Sequence, residues 1–315
     1  MEGYLYSNPL HPDIFPSVRQ MESEIVNMTL NLFHPTPGCV GSMTTGGSES
    51  LIVAMHAYKN WGKKVRGIRH PEIVACVTVH AAIDKAAEYF NMQLIHVPAD
   101  ASTFKVNLEA LENAITSDTV CIIGSAPNYC AGIIDDIPRM AAIAKRHRVG
   151  LHVDACMGGF VLPFAKMCDY DIPSFDFEND GVTSISADAH KYGNTPKGVS
   201  VLMWRDSDWR KHQYVSVTDW TGGIYATPTM TGSKAGSTSV GAWACMMHLG
   251  RRGYMDISRK IMQAATYIRQ EVVSIEDITV QGDPKGTITA FESKKLNIYM
   301  VYDLLKDKGW RLNSQ

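Results

Sequence analysis

Short continuous apolar runs alternate with helical stretches along most of this chain, and that alternation constrains the fold more than any other feature. The runs occupy residues 73–79, 93–97, 119–124, 149–153, 182–186 and 199–204, with helical patterns over 81–90 and near Leu108, Met140 and Phe160. Strands that are apolar along their whole length are buried on both faces, so they predict an α/β fold: a largely parallel sheet covered by helices on both sides. Upstream, Met21, Ile25, Met28 and Leu32 recur at helical spacing after a Pro-punctuated loop over residues 8–13. Leu51, Met55 and Tyr58 share one face of a second helix, for which Ser48 is a favoured cap after two glycines. Downstream of Gly232 the pattern turns helical through Ala242, Met246 and Leu249 and again through Ile257, Ile261, Ala265 and Ile268. A hairpin-like pair over 277–292 and a helix over 297–308 follow.

At 315 residues the chain has room for about two domains at roughly 150 residues each. Its 30 basic and 32 acidic residues leave a formal charge of -2, so there is no global basic field for nucleic acid or anionic lipid, and any anion must be bound locally. Cys39, Cys76, Cys121, Cys130, Cys156, Cys168 and Cys245 are odd in number and contain no CxxC pair. They predict reduced core residues, with neither a disulfide framework nor a metal site. No apolar run reaches the roughly 18 residues that a bilayer span needs, and Met1 is followed by Glu2-Gly3-Tyr4. As written, the expectation is a cytoplasmic chain without anchor or signal.

Four local features carry chemistry. In Ser184-Ile185-Ser186-Ala187-Asp188-Ala189-His190-Lys191-Tyr192-Gly193 a lysine lies just beyond an apolar strand. Desolvation and neighbouring charge could lower its pKa so that a neutral amine forms a Schiff base; the bland alternative is a surface lysine. In His152-Val153-Asp154-Ala155-Cys156 a carboxylate ends a strand, at the sheet edge where open α/β sheets bind ligands. Asp154 there either keeps a pyridinium nitrogen charged or simply caps the next helix. Thr44-Thr45-Gly46-Gly47-Ser48-Glu49-Ser50 leads into a helix and offers backbone N–H groups to a phosphate, or is a plain turn. His80, directly after a strand, could stack on an aromatic ring or be structural. A nicotinamide site should show GxGxxG and a nucleotide P-loop GxxxxGK[ST]; neither pattern occurs.

Taken together, in this order, the four features resemble the fold-type I pyridoxal-phosphate enzymes, in the group II decarboxylase-like branch. Residues 8–16, 181–193 and 218–225 narrow the resemblance to the sphingosine-1-phosphate lyases, from about Tyr6 to the end of the chain. The resemblance implies pyridoxal 5'-phosphate as cofactor and cleavage of a phosphorylated sphingoid base into a long-chain aldehyde and phosphoethanolamine. It implies that Lys191 holds the cofactor covalently, that His190, Gly46, Gly47 and Ser48 contact its phosphate, that His80 stacks on its ring, and that Asp154 pairs with its nitrogen. Asn8, His11 and Lys197 would gather at the substrate phosphate. Gly232 and Ser233 would reach the cofactor phosphate of a second subunit, which implies a homodimer with shared active sites. Tyr129 would be catalytic, although Asn128-Tyr129-Cys130-Ala131-Gly132 departs from the aromatic, proline and then histidine or tyrosine that relatives commonly show. Lys234 stands where arginine is usual, which would weaken a bidentate contact.

The implied organisation is an N-terminal active-site segment over 1–20, a large cofactor-binding domain over 21–232, and connecting helices with an incomplete small domain over 233–315. The chain is expected to be truncated at both ends relative to its relatives. The eukaryotic relatives' membrane helix would place a full-length protein on the cytosolic face of the endoplasmic reticulum. Two other readings stand beside the lyase: an amino-acid decarboxylase on the same scaffold, and an inactive truncated homologue.

Overall fold

The computed structural model describes residues 2–315. Helix α1 (Pro16–Leu30) opens with proline, whose missing N–H is no loss in a first turn, and leads to strand β1 (Val40–Thr44) and helix α2 (Gly47–Trp61). Then come β2 (Glu72–Cys76), α3 (Ala82–Phe90), β3 (Gln93–Val97), α4 (Leu108–Asn113), β4 (Thr119–Ser125), α5 (Ile137–His147) and β5 (Gly150–Asp154). Asn107 and Asp136 cap α4 and α5 by accepting the backbone N–H groups of Ala110 and Arg139. A short α6 (Leu162–Lys166), β6 (Ser184–Ala187), β7 (Ser200–Trp204) and α7 (Ser207–Arg210) complete the sheet region. The antiparallel pair β8 (Val215–Trp220) and β9 (Gly223–Thr227) precedes α8 (Gly236–Ser274), which breaks at Gly250, where φ is 56°. The pair β10 (Thr279–Val280) and β11 (Phe291–Glu292), then α9 (Ile298–Asp307), end the chain.

Seven strands form one sheet in the order β1-β7-β6-β5-β4-β2-β3. From β6 to β3 every neighbouring pair is parallel, and only β7 runs against its neighbours β6 and β1. Burial on both faces is visible residue by residue: along β2, Ile73 and Ala75 enter one core with Leu51, Tyr58 and Ile83, while Val74 and Cys76 enter the other with Ile137, Met140 and Leu151. At the start of β5 a side chain on Gly150 would place its Cβ 2.2 Å from the Tyr58 ring, so the α2 aromatic packs directly on strand backbone. Among the described residues no helix is long and apolar enough to cross a membrane. All seven cysteines are free thiols, although Cys39, Cys130, Cys168 and Cys245 are only half-buried rather than core residues.

Several expected boundaries move. The strand foreseen over 73–79 ends at Cys76, and a turn closed by Val79 N–H donating to the Cys76 carbonyl swings His80 out of the sheet. Ser48 does not cap α2: Gly46 holds the cap position, with φ 152°, and Ser48 lies inside the first turn. The helical pattern near Phe160 is a series of turns, since helix begins only at Leu162, beside Pro163. Strands β1, β8 and β9 were not foreseen, and every residue of β8 is exposed.

Candidate active site

Strands β2, β4, β5 and β6 are parallel, so the residues that follow them meet at one edge of the sheet. That edge holds a cleft of about 170 Å³ whose lining includes His80, Asn128, Tyr129, Asp154, Cys156 and Lys191. Three of the residues singled out in the sequence for a ring, its nitrogen and its aldehyde, namely His80, Asp154 and Lys191, therefore share one space. Asp154 closes β5 and is 8% exposed; one carboxylate oxygen, Oδ1, accepts the Cys156 N–H at 3.0 Å, and Oδ2 is left for a ligand. His80 Nδ1 accepts the Ala82 N–H at 3.0 Å, which assigns the ring proton to Nε2.

Lys191 sits one turn beyond Asp188, with Nζ 3.1 Å from Asp188 Oδ2. Burial pulls the lysine pKa down, but the charge of Asp188, with Cys156 and Asp154, outweighs it, and the net direction is upward. The lowered pKa expected from desolvation is thus corrected: the amine is half-buried beside carboxylates that favour its charged form.

The glycine turn stands next to these groups. A Cβ on Gly46 would lie 3.5 Å from His190 Cε1, and one on Gly47 would lie 2.8 Å from both Asp188 Oδ2 and Cys156 Sγ. Gly46, Gly47 and the exposed Ser48 thus present the start of α2 beside His190, whose Nδ1 accepts the Val199 N–H at 3.2 Å. Fifteen residues of α2 aim their positive end at this turn, which suits an anion. Buried Glu49 fixes the turn by accepting from Thr45 N and Oγ1, both at 2.6 Å, and also accepts Met230 N–H at 2.9 Å.

The remaining expected residues lie elsewhere. Asn8 does not join Lys197: its Nδ2 donates to Ser233 Oγ at 2.9 Å, its Oδ1 accepts the Leu10 N–H at 3.1 Å, and Lys197 Nζ donates to the His190 carbonyl at 3.1 Å. His11 is exposed in the turn that starts at Asn8. None of Asn8, His11, Lys197, Gly232 and Ser233 lines the cleft. Lys234 is not a free phosphate donor, because its Nζ is 2.8 Å from Glu22 Oε1, a buried carboxylate that also binds Arg19 and Ser239. Tyr129 is half-exposed at the cleft mouth, where its hydroxyl accepts from Asn313 Nδ2 at 2.9 Å.

Sequence reasoning assigned no role to Asp188, Asn128, Cys156 or Glu49. The three-residue spacing of Asp188 and Lys191 was a usable signal, since it puts both on one turn; Asn128 had none. Two buried polar atoms at this edge have no hydrogen-bond partner, Asp188 Oδ1 and Asn128 Nδ2. Together with an anion-binding helix start, a free carboxylate oxygen and an amine, they fit a phosphorylated pyridine aldehyde.

Comparison with known proteins agrees with that geometry. Residues 7–294 match the pyridoxal-dependent decarboxylase conserved domain. The sphingosine-1-phosphate lyase of Drosophila melanogaster is 43% identical over 309 residues, 98% of this chain and 57% of the fly protein. This chain therefore spans a little over half the length of that curated relative. The sphingosine-1-phosphate lyase structure from Burkholderia pseudomallei superposes with a TM-score of 0.96 at 40% identity, covering 99% of this chain and 73% of that one. Glutamate decarboxylase from Lactobacillus brevis superposes with a TM-score of 0.87 at 25% identity, covering 99% and 75%. The chain belongs to the pyridoxal-dependent decarboxylase family, on the branch that holds the sphingosine-1-phosphate lyases.

Proposed function

We propose that this chain forms the catalytic part of a pyridoxal-phosphate-dependent carbon-carbon lyase, which splits a phosphorylated sphingoid base into a long-chain aldehyde and phosphoethanolamine. The observation that carries the reading is the convergence of His80, Asp154 and Lys191 on one cleft beside the Gly46-Gly47 turn. Pyridoxal phosphate, when bound, supplies an electron sink for the pair released as a bond at the amine-bearing carbon breaks. The α2 start and His190 bind its phosphate. Asp154 keeps a proton on its ring nitrogen through Oδ2, while the Cys156 N–H fixes the other oxygen. His80, its ring held by the Ala82 N–H, would pack against the cofactor face and exclude water from it. Lys191 Nζ, steered by Asp188, would hold the cofactor at its aldehyde and, as an amine, would hold or pass a proton at Nζ.

The 43% identity to a sphingosine-1-phosphate lyase favours the phosphorylated sphingoid base over an amino acid. In this reading Gly232 and Ser233 serve the cofactor phosphate of a second subunit, since neither lines its own chain's cleft, and the whole protein works as a homodimer. Asn8, bonded to Ser233, would travel with that loop toward the partner's substrate. The large unit over 21–232 would carry the cofactor, and a location at the cytosolic face of the endoplasmic reticulum would belong to the full-length protein. The deciding experiment offers the reconstituted protein a phosphorylated long-chain base and, in parallel, a panel of amino acids. Aldehyde release from the former supports the lyase; carbon dioxide without aldehyde establishes a decarboxylase.

A further inference from the structure

Asn128 is 2% exposed, and its two amide atoms live in different surroundings. Its Oδ1 accepts from Ala131 N at 2.9 Å, from Ile133 N at 3.4 Å and from Cys130 Sγ at 3.5 Å. Three donors on one atom fix the orientation of the amide, because a flipped carboxamide would set N–H against N–H. Its Nδ2 is buried without a partner, while the residue lines the same cleft as Asp154 and Lys191. A donor kept dry and unpaired is costly unless a ligand acceptor meets it.

Strand order says which acceptor. The Gly46-Gly47 turn packs on Asp188 and Cys156, toward the β6 side of Asp154, whereas Asn128 follows β4, on the other side. In pyridoxal phosphate the phosphate arm and the ring oxygen flank the aldehyde-bearing carbon on opposite sides, with the ring nitrogen across from it. With its nitrogen at Asp154, its aldehyde at Lys191 and its phosphate at the glycine turn, the cofactor would have its ring oxygen on the β4 side.

We propose that Asn128 is a cofactor-positioning residue whose Nδ2–H donates to the ring oxygen of pyridoxal phosphate and holds that oxygen in its deprotonated form. The proposal rests on the cleft being the cofactor site. Its test is a pH titration of the visible absorbance of the protein reconstituted with pyridoxal phosphate, in wild type, Asn128→Asp and Asn128→Ala. The aspartate variant retains Oδ1 for the turn and replaces only the donor, so it separates the cofactor contact from folding. Loss of a donor to an anionic oxygen raises the titration midpoint by about one unit in both variants and speeds cofactor loss on the order of tenfold. A midpoint unchanged in Asn128→Asp, at wild-type melting temperature, overturns the assignment. So does an unchanged midpoint joined to a raised KM, which would give the donor to the substrate. No visible absorbance in reconstituted wild type would instead sink the cofactor site itself.

Discussion

Lys191 Nζ lies 3.1 Å from Asp188 Oδ2, a carboxylate three residues earlier with only 2% of its side chain exposed. The pair sets the charge of the amine before any cofactor arrives. Asp188 raises the lysine pKa above its ordinary 10.5, so the pair stabilises the fold below that pH, and its contribution is lost as pH rises through the raised value. Asp188→Asn leaves burial as the largest influence and shifts the pH midpoint for cofactor capture downward by about one unit. Stopped-flow capture at several pH values checks this; an unmoved midpoint would show that Asp188 does not govern the amine.

Asp154→Asn keeps an oxygen for the Cys156 N–H yet loses the charge that holds a proton on the ring nitrogen. Cofactor should still bind, with kcat reduced by roughly a hundredfold or more. Equal losses in kcat and in cofactor affinity would assign Asp154 a binding role alone.

Lys234→Met strands part of the buried Glu22 charge, although Arg19 and Ser239 remain on that carboxylate. The expected cost is about 2 kcal/mol, less than for a pair with no other partner. Urea melts with an unchanged slope and a lower midpoint check it. Adding Glu22→Gln should recover part of the loss.

His152 is fully buried between Ser184 and Ser186, whose hydroxyls lie 2.7 and 3.2 Å from its ring nitrogens, and burial pushes its pKa down from 6.5 to about 3. The unfolded chain therefore takes up the proton first, and the folded state loses stability as pH falls from 6.5 toward about 3, at roughly 1.4 kcal/mol per unit. His152→Gln should flatten that slope in thermal melts across the acid range. A slope equal to wild type would mean that His152 titrates normally.

Strand β3 was legible to the residue, since Gln93–Val97 is bounded by helix and turn signals and needs no partner to be recognised. Strand β1 was not, because Gly41 and Ser42 break the apolar pattern; Gly41 is there because a Cβ would press to 2.8 Å on Val26 and 3.1 Å on the Leu202 carbonyl, contacts made only after folding. Lys191 and Asp154 could be located from strand ends alone. Their electrostatics could not, since the charge on Lys191 depends on which carboxylate the turn brings near. The bond between Asn8 and Ser233 spans 225 residues, a separation over which no periodicity carries information.

The register of β1 against β7 has a consequence for how the molecule is made. Val40 pairs with Trp204 and Thr44 with Ser200, so the strand that launches the glycine turn waits roughly 160 residues, about 10–30 s of ribosomal synthesis, for β7, its one strand neighbour among the described residues. By then Asp154 and Lys191 have already emerged. The phosphate turn, although near the start of the message, is therefore anchored to the sheet only after Asp154 and Lys191 have been made. Nascent chains stalled before Ser200 has cleared the exit tunnel should therefore fail to retain pyridoxal phosphate, even with Lys191 exposed to it, and chains stalled well after Trp204 should take it up.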